Sequence, residues 1–256
     1  MSLFAISGVL LLALVWIIAG GRAAAQASPS TPVAKPQPST LALSHEEQLA
    51  NDFGQLARYR DANAQLAPPA PAEDRVVFYG DSITDGWHLD TYFPGKPYVN
   101  RGISGQTTPQ MLVRFRQDVI ALHPKLVVIL AGTNDIAGNT GPTTPEAIED
   151  NFKSMAELAR ANGIGVIFSS ILPAYDYPWK PGMQPVEKIA ALNAWLKNYA
   201  ETNSGIYLDY YTAMQDERHG LPAKLSGDGV HPNPAGYAVM QPLAEKAIEA
   251  ALSSSH

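Results

Sequence analysis

Leu126-Val127-Val128-Ile129-Leu130 is an unbroken apolar run, three of its five residues β-branched, and Ala131-Gly132-Thr133-Asn134-Asp135 follows it directly. A strand with one wet face would alternate apolar and polar residues. A continuous run asks for burial on both faces, the situation of a parallel sheet covered by helices. Working outward, similar runs stand at 75–80 (with Val76-Val77-Phe78-Tyr79), 97–101, 164–170 and 205–208. Segments of helical length lie between or after them, at 109–122, 145–162, 184–202 and 234–252. Pro109, Pro145, Pro185 and Pro234 fall in the first turns of these helices, where a missing N–H costs nothing, and Gly163 stands at a C-terminal cap. Strand and helix alternating in this way predict a three-layer α/β/α sandwich with about five parallel strands.

With 256 residues the chain has room for one large, well-buried domain. A formal charge of −6 without any Lys/Arg run argues against nucleic acid and anionic membrane surfaces as main partners. Cysteine is absent, which excludes thiol nucleophiles, thiolate zinc sites, disulfides and a lipid-modified cysteine anchor. The first 21 residues carry no charged side chain, and small residues follow up to Ala27. Residues 1–27 therefore read as an export signal, with an uncleaved membrane anchor at residues 3–21 as the alternative. The expected location is secreted or periplasmic, with a membrane partner only if that segment is retained. Residues 28–43, rich in Pro, Ser and Thr, read as a linker. Ser44 and Glu47 form a capping box that opens a helix to about Leu66, with Leu49, Phe53 and Leu56 on one face. This helix and its connector occupy 44–72, and the main domain 73–252.

Functional groups in open α/β sheets gather beyond the carboxyl ends of the strands. Ser82 follows the first strand, Gly102-Ile103-Ser104-Gly105 the second, Gly132-Thr133-Asn134-Asp135 the third, and Asp228 and His231 the fifth. A serine hydroxyl becomes a useful nucleophile when a histidine takes its proton and a carboxylate orients that histidine. Among the other histidines (His45, His88, His123, His219 and His256), none follows a carboxylate by three residues in a Gly-rich loop that opens a helix. His88 is the nearest competitor and is read as a pocket residue. Asp81 and Asp135 are read as structural hydrogen-bonders. The Gly-x-Ser-x-Gly elbow is absent because position 84 is Thr; there is no phosphate-binding loop and no histidine pair at metal spacing. Neither cofactor nor metal is expected.

GDSIT at 80–84, Gly105 of GISG, GTND at 132–135 and DGVH at 228–231, in that order, resemble the four blocks of the SGNH hydrolases, the GDSL esterase/lipase family. The resemblance spans about residues 73–252 and implies a flavodoxin-like sheet and metal-free hydrolysis of carboxylic esters. It assigns Ser82 as nucleophile, His231 as base and Asp228 as orienting acid, with Ser82, Gly105 and Asn134 as the oxyanion hole. Two aromatic segments are expected beside the site: Trp87 and His88 with Tyr92 and Phe93, and Tyr175, Tyr177 and Trp179. Such rings stack on sugars, line acyl pockets or pack against their own loops. The expected function is an exported serine esterase that removes short acyl groups, acetyl above all, from a sugar or similar small substrate. The alternatives are a lysophospholipase- or thioesterase-like acyl hydrolase, an O-acyltransferase using the same triad, and a non-catalytic carbohydrate-binding module.

Overall fold

The computed structural model describes residues 45–254. The expected export signal, the linker and Ser44 of the capping box lie outside the described residues. Five strands, β1 (Val76–Gly80), β2 (Tyr98–Gly102), β3 (Leu126–Leu130), β4 (Gly165–Ser169) and β5 (Ile206–Leu208), form one sheet in the order β2-β1-β3-β4-β5. All four pairings are parallel, and Val77 lies opposite both Val99 and Val127 in register. Every residue of β1 and β3 is buried, as their continuous apolar runs require.

Alternate residues of these strands point to opposite faces and build two cores. Val77, Tyr79, Val127 and Ile129 pack with the helices α5 (Thr108–Asp118), α7 (Pro145–Ala161) and α8 (Val186–Thr202). Val76, Phe78, Val128 and Leu130 pack with the other layer, formed by α3 (Ser82–Asp85), α4 (Leu89–Tyr92), α9 (Tyr210–Met214) and α10 (Pro234–Ser254). A further short helix, α6 (Thr133–Ala137), follows β3. The expected helix at 109–122 is α5 with its Thr107–Gln110 capping box, continued by a separate 3₁₀ turn at Ile120–Leu122. The chain leaves β1 towards β2 and returns across it to β3, so the β1/β3 boundary is the topological switch point. Ser82 and Asn134 both stand just beyond it.

The expected front helix is broken. It forms α1 (His45–Asn51) and α2 (Arg60–Gln65), with turns between. Asp52 ends the first piece: its carboxylate accepts the N–H groups of Leu56 (2.8 Å) and Ala57 (3.0 Å). The carbonyls of Phe53, Gly54 and Leu56 turn outward to accept the side-chain amides of Gln110, Gln106 and Gln117. A Cβ on Gly54 would come within 2.8 Å of Val113, so the backbone itself is the docking surface. Phe53 and Leu56, expected as an apolar stripe, are exposed. Tyr59 donates its hydroxyl to Gly102 O and Asn63 donates to Asp118 (2.7 Å), which fastens the segment to β2 and α5. Among the described residues, no helix is long and apolar enough to cross a membrane.

Candidate active site

Ser82 is the first residue of α3, a helix of one turn that begins as β1 ends. Asp81 caps it, Oδ1 accepting the Ile83 N–H at 3.0 Å. Tyr237 donates its hydroxyl to Ile83 O at 2.8 Å, and Asn100 donates to the carbonyls of Thr84 and Trp87. The turn also lies flat on β2. A Cβ at Gly102 would sit 2.1 Å from the Asp85 N, so only glycine lets the two backbones meet. The Asp81 carboxyl is fully buried; burial pushes it up to about 7, against the opposing pull of the Ile83 N–H and the nearby His231.

His231 and Asp228 arrive on the loop between α9 and α10. Ser82 Oγ lies 2.9 Å from His231 Nε2, and His231 Nδ1 lies 2.6 Å from Asp228 Oδ2. Asp228 Oδ1 accepts the backbone N–H groups of Val230 (2.9 Å) and His231 (2.8 Å) and the hydroxyl of buried Ser226 (3.0 Å). Partial burial pushes the Asp228 carboxyl up, but these hydrogen bonds, first that of the His231 ring, hold it far below the usual carboxylate range. Asp85 and Asp216 also stand three residues before His88 and His219, and His88 opens α4, so the spacing expected to single out His231 does not do so alone; it is His231 that meets the serine. Asp85 is engaged by Ser104 Oγ (2.7 Å) and Arg58.

Gly105 and Asn134 face the same cleft, of about 350 Å³, together with Ser82, Ser104, Asn139, Trp179 and His231. Gly105 adopts φ +79°, a left-handed conformation that a side chain disfavours. Asn134 is buried; its amide donates to Gln106 O at 3.0 Å, and its Oδ1 accepts from Asn139 Nδ2 at 2.8 Å. The N–H groups of Ser82 and Gly105 are not taken up by the turn and loop hydrogen bonds around them. Asp135 points away, accepting the Thr108 N–H and hydroxyl, and its burial pushes it up to about 6. A serine hydroxyl on an imidazole, an oriented carboxylate and donors facing the same space can attack an acyl carbon and hold the resulting oxyanion.

The aromatic expectations divide. Trp179 lines the cleft, 6.0 Å from the His231 ring. Tyr177 is buried behind it, stacked at 5.0 Å and holding the Thr133 hydroxyl at 2.9 Å, so it supports the wall without forming it. Trp87 is corrected to a core residue: it is buried and stacked on Tyr237, because α3 turns it back towards Phe78 and Phe93. Phe93 joins that core. His88 is exposed ahead of α4 and does not line the cleft. Tyr175 lies in a neighbouring groove under Arg218, outside the cleft. Reading the sequence did not single out Asn139 or Gln106, whose hydrogen bonds reach residues distant in sequence, nor Ser226, which bonds locally to Asp228 and Gly229. A second cavity, of about 420 Å³ and lined by Ile136, Ile148, Met183 and Leu192 among others, shares no lining residue with the cleft.

A five-stranded parallel sheet with these groups at its switch point defines a hydrolase of the three-layer α/β class. The chain belongs to the GDSL-like lipase/acylhydrolase family, whose sequence profile matches residues 78–239, and it is accordingly a carboxylic ester hydrolase. It is 46% identical to a GDSL-like lipase of known structure from Bacteroides thetaiotaomicron, which covers 78% of this chain and 99% of that one with a TM-score of 0.76. It is also 25% identical over 200 residues to an acetylxylan esterase from Geobacillus stearothermophilus, covering 65% of this chain and 90% of that relative. An acetylxylan esterase from Xylanibacter ruminicola is 25% identical over 80% of this chain, which spans 48% of that longer protein.

Proposed function

We propose that the protein is an exported serine esterase that removes short acyl groups, acetyl above all, from a saccharide. The observation that carries this reading is the Ser82 Oγ–His231 Nε2 contact of 2.9 Å, continued by the His231 Nδ1–Asp228 Oδ2 contact of 2.6 Å. Ser82 Oγ attacks the ester carbonyl as His231 Nε2 takes its proton. The tetrahedral oxyanion meets the backbone N–H groups of Ser82 and Gly105 and the Asn134 amide. His231 returns the proton to the departing sugar hydroxyl, leaving an acyl group on Ser82. Water then repeats the sequence, releasing the acid and restoring the serine.

The substrate class rests on the cleft and on two relatives. The cleft is open, with a half-exposed indole and the polar groups of Ser104 and Asn139 at its wall, a surface suited to a sugar ring. The cavity of about 420 Å³, which would suit a longer acyl chain, shares no lining residue with the cleft. Two of the relatives are acetylxylan esterases. Export rests on the apolar segment before Ala27.

The test compares acetate release from acetylated xylo-oligosaccharides with hydrolysis of p-nitrophenyl decanoate, for the wild type and Ser82→Ala. Acetate release that is lost by about 10³-fold or more in the variant, with little decanoate turnover, is the expected result. A Ser82→Ala enzyme as active as the wild type would overturn the mechanism, and a preference for decanoate the substrate.

A further inference from the structure

We infer that Trp179 and Asn139 are positioning residues that fix the orientation of the Asn134 amide, so that the wall on which the substrate rests also sets the oxyanion hole. This rests on the esterase reading above and adds a directional hydrogen-bond chain to it. Trp179 Nε1 donates to Asn139 Oδ1 at 3.2 Å, Asn139 Nδ2 to Asn134 Oδ1 at 2.8 Å, and Asn134 Nδ2 to Gln106 O at 3.0 Å. A primary amide can be turned over, exchanging its oxygen and nitrogen, unless its neighbours forbid it. Here both ends of the chain have fixed polarity. An indole N–H only donates, and a peptide carbonyl only accepts. Turning Asn139 would set its NH₂ against the indole N–H, and turning Asn134 would set its oxygen against Gln106 O. In the observed sense, Asn134 donates one N–H to Gln106 O and keeps a second for an oxyanion in the cleft it lines; reversed, an oxygen would replace that donor.

The surrounding structure holds the relay as one piece. Asn139 also donates to Gly105 O (3.3 Å), so the same side chain touches both halves of the proposed oxyanion hole. Its own backbone N–H donates to Asn134 O at 3.0 Å, closing the turn after α6. The strap that carries Trp179 is tied to α6 twice, by the Thr133 hydroxyl donating to Tyr177 and by Lys180 Nζ donating to Ala137 O. Trp179 is 43% exposed, so its hydrogen bond is open to competition from water until a ring covers the indole. A saccharide ester lying on Trp179 therefore shields the bond that orients Asn134, and an ester without a ring to lay there does not.

The decisive variant is Trp179→Phe, which keeps an aromatic face for stacking and removes the N–H. On an acetylated xylo-oligosaccharide its kcat should fall about 3- to 10-fold, the worth of one hydrogen bond, with KM within about twofold of wild type. Asn139→Ala should lose more, up to about 10²-fold in kcat, and adding Trp179→Phe to it should cost nothing further. Asn139→Ser, too short to bridge, serves in the same cycle if the alanine variant does not fold. Unchanged kcat in Trp179→Phe, a change confined to KM, or a loss that adds in full to that of Asn139→Ala would overturn the relay and leave Trp179 a stacking surface alone. Ser82→Ala separates the two readings. If it remains active, the esterase mechanism fails and the relay with it; if it is dead while Trp179→Phe behaves as wild type, only the relay fails.

Discussion

Replacing Arg114 by Met should damage the protein more than any exposed change near the cleft, because Arg114 is the buried tie between the sheet and the loop that carries Gly105. The side chain is fully buried on α5. Nε donates to the Gln106 side chain, Nη1 to Arg101 O (2.9 Å) and Asp118 Oδ2 (3.1 Å), and Nη2 to Gly80 O (3.0 Å), while the guanidinium lies 4.2 Å over the Tyr79 ring. Methionine fills much of the volume but leaves Asp118, also fully buried, as a carboxylate whose remaining hydrogen-bond donor among the described residues is Asn63. Removing one partner of a buried ion pair costs about 3–5 kcal/mol, and an orphaned Gln106 oxygen adds about 1–3 kcal/mol. Gly80 O keeps the Ile103 N–H at 3.0 Å and adds nothing. The assay is urea unfolding followed by circular dichroism, for Arg114→Met and for Arg114→Met/Asp118→Leu. The double variant removes the stranded charge and should recover about 2–4 kcal/mol of the loss. A single variant within about 1 kcal/mol of wild type, or a double variant no better than the single, would refute the reasoning.

Asp228→Asn places an amide where His231 Nδ1 needs an acceptor, and should lower kcat on p-nitrophenyl acetate by about 10⁴-fold, as for an equivalent change in a serine triad; a loss under about tenfold would contradict the role given to Asp228. Burial raises Asp81 to about 7 and Asp135 to about 6, so between their unfolded values near 3.8 and these values the folded protein binds protons that the unfolded chain has released. Stability should therefore fall as pH rises from about 4 to about 7, and a melting temperature that rises across that window would show both carboxyls to be ionised in the fold. Gly102→Ala would force a Cβ to within 2.1 Å of the Asp85 N, and should lower the melting temperature by roughly 5 °C or more; a shift under about 2 °C would mean that α3 moves freely off β2.

What could be read from the sequence follows from where each group finds its partners. β1 and β3 were legible because both faces of each are buried, and an unbroken apolar run has no other economical explanation. The gathering of Ser82, Gly105, Asn134, Asp228 and His231 was legible because a parallel sheet brings every strand's carboxyl end to one rim, whatever the loops do. The front helix failed because the glutamines that take up its carbonyls lie about 50–60 residues away, beyond the reach of any local pattern. Trp87 and Trp179 have the same chemistry, and only tertiary packing sends one into the core and the other to the cleft.

Arg114, Gln106 and Asn139 were illegible for a reason that bears on how the site is built. Ser82 and Asn134 ride on α3 and α6, of four and five residues, far below the length at which a helix holds itself together in water. Neither turn could keep its side chain in place on propensity alone. Each is fixed from outside: α3 by Asn100, Tyr237 and Ser104, α6 by Thr108 on Asp135 and by Asn139 on Asn134. Short turns leave Ser82 and Asn134 at the rim of the sheet, lining the cleft, and transfer the burden of rigidity to polar side chains elsewhere in the chain. The residues that matter most to the precision of such a site are then those whose roles a linear reading shows least.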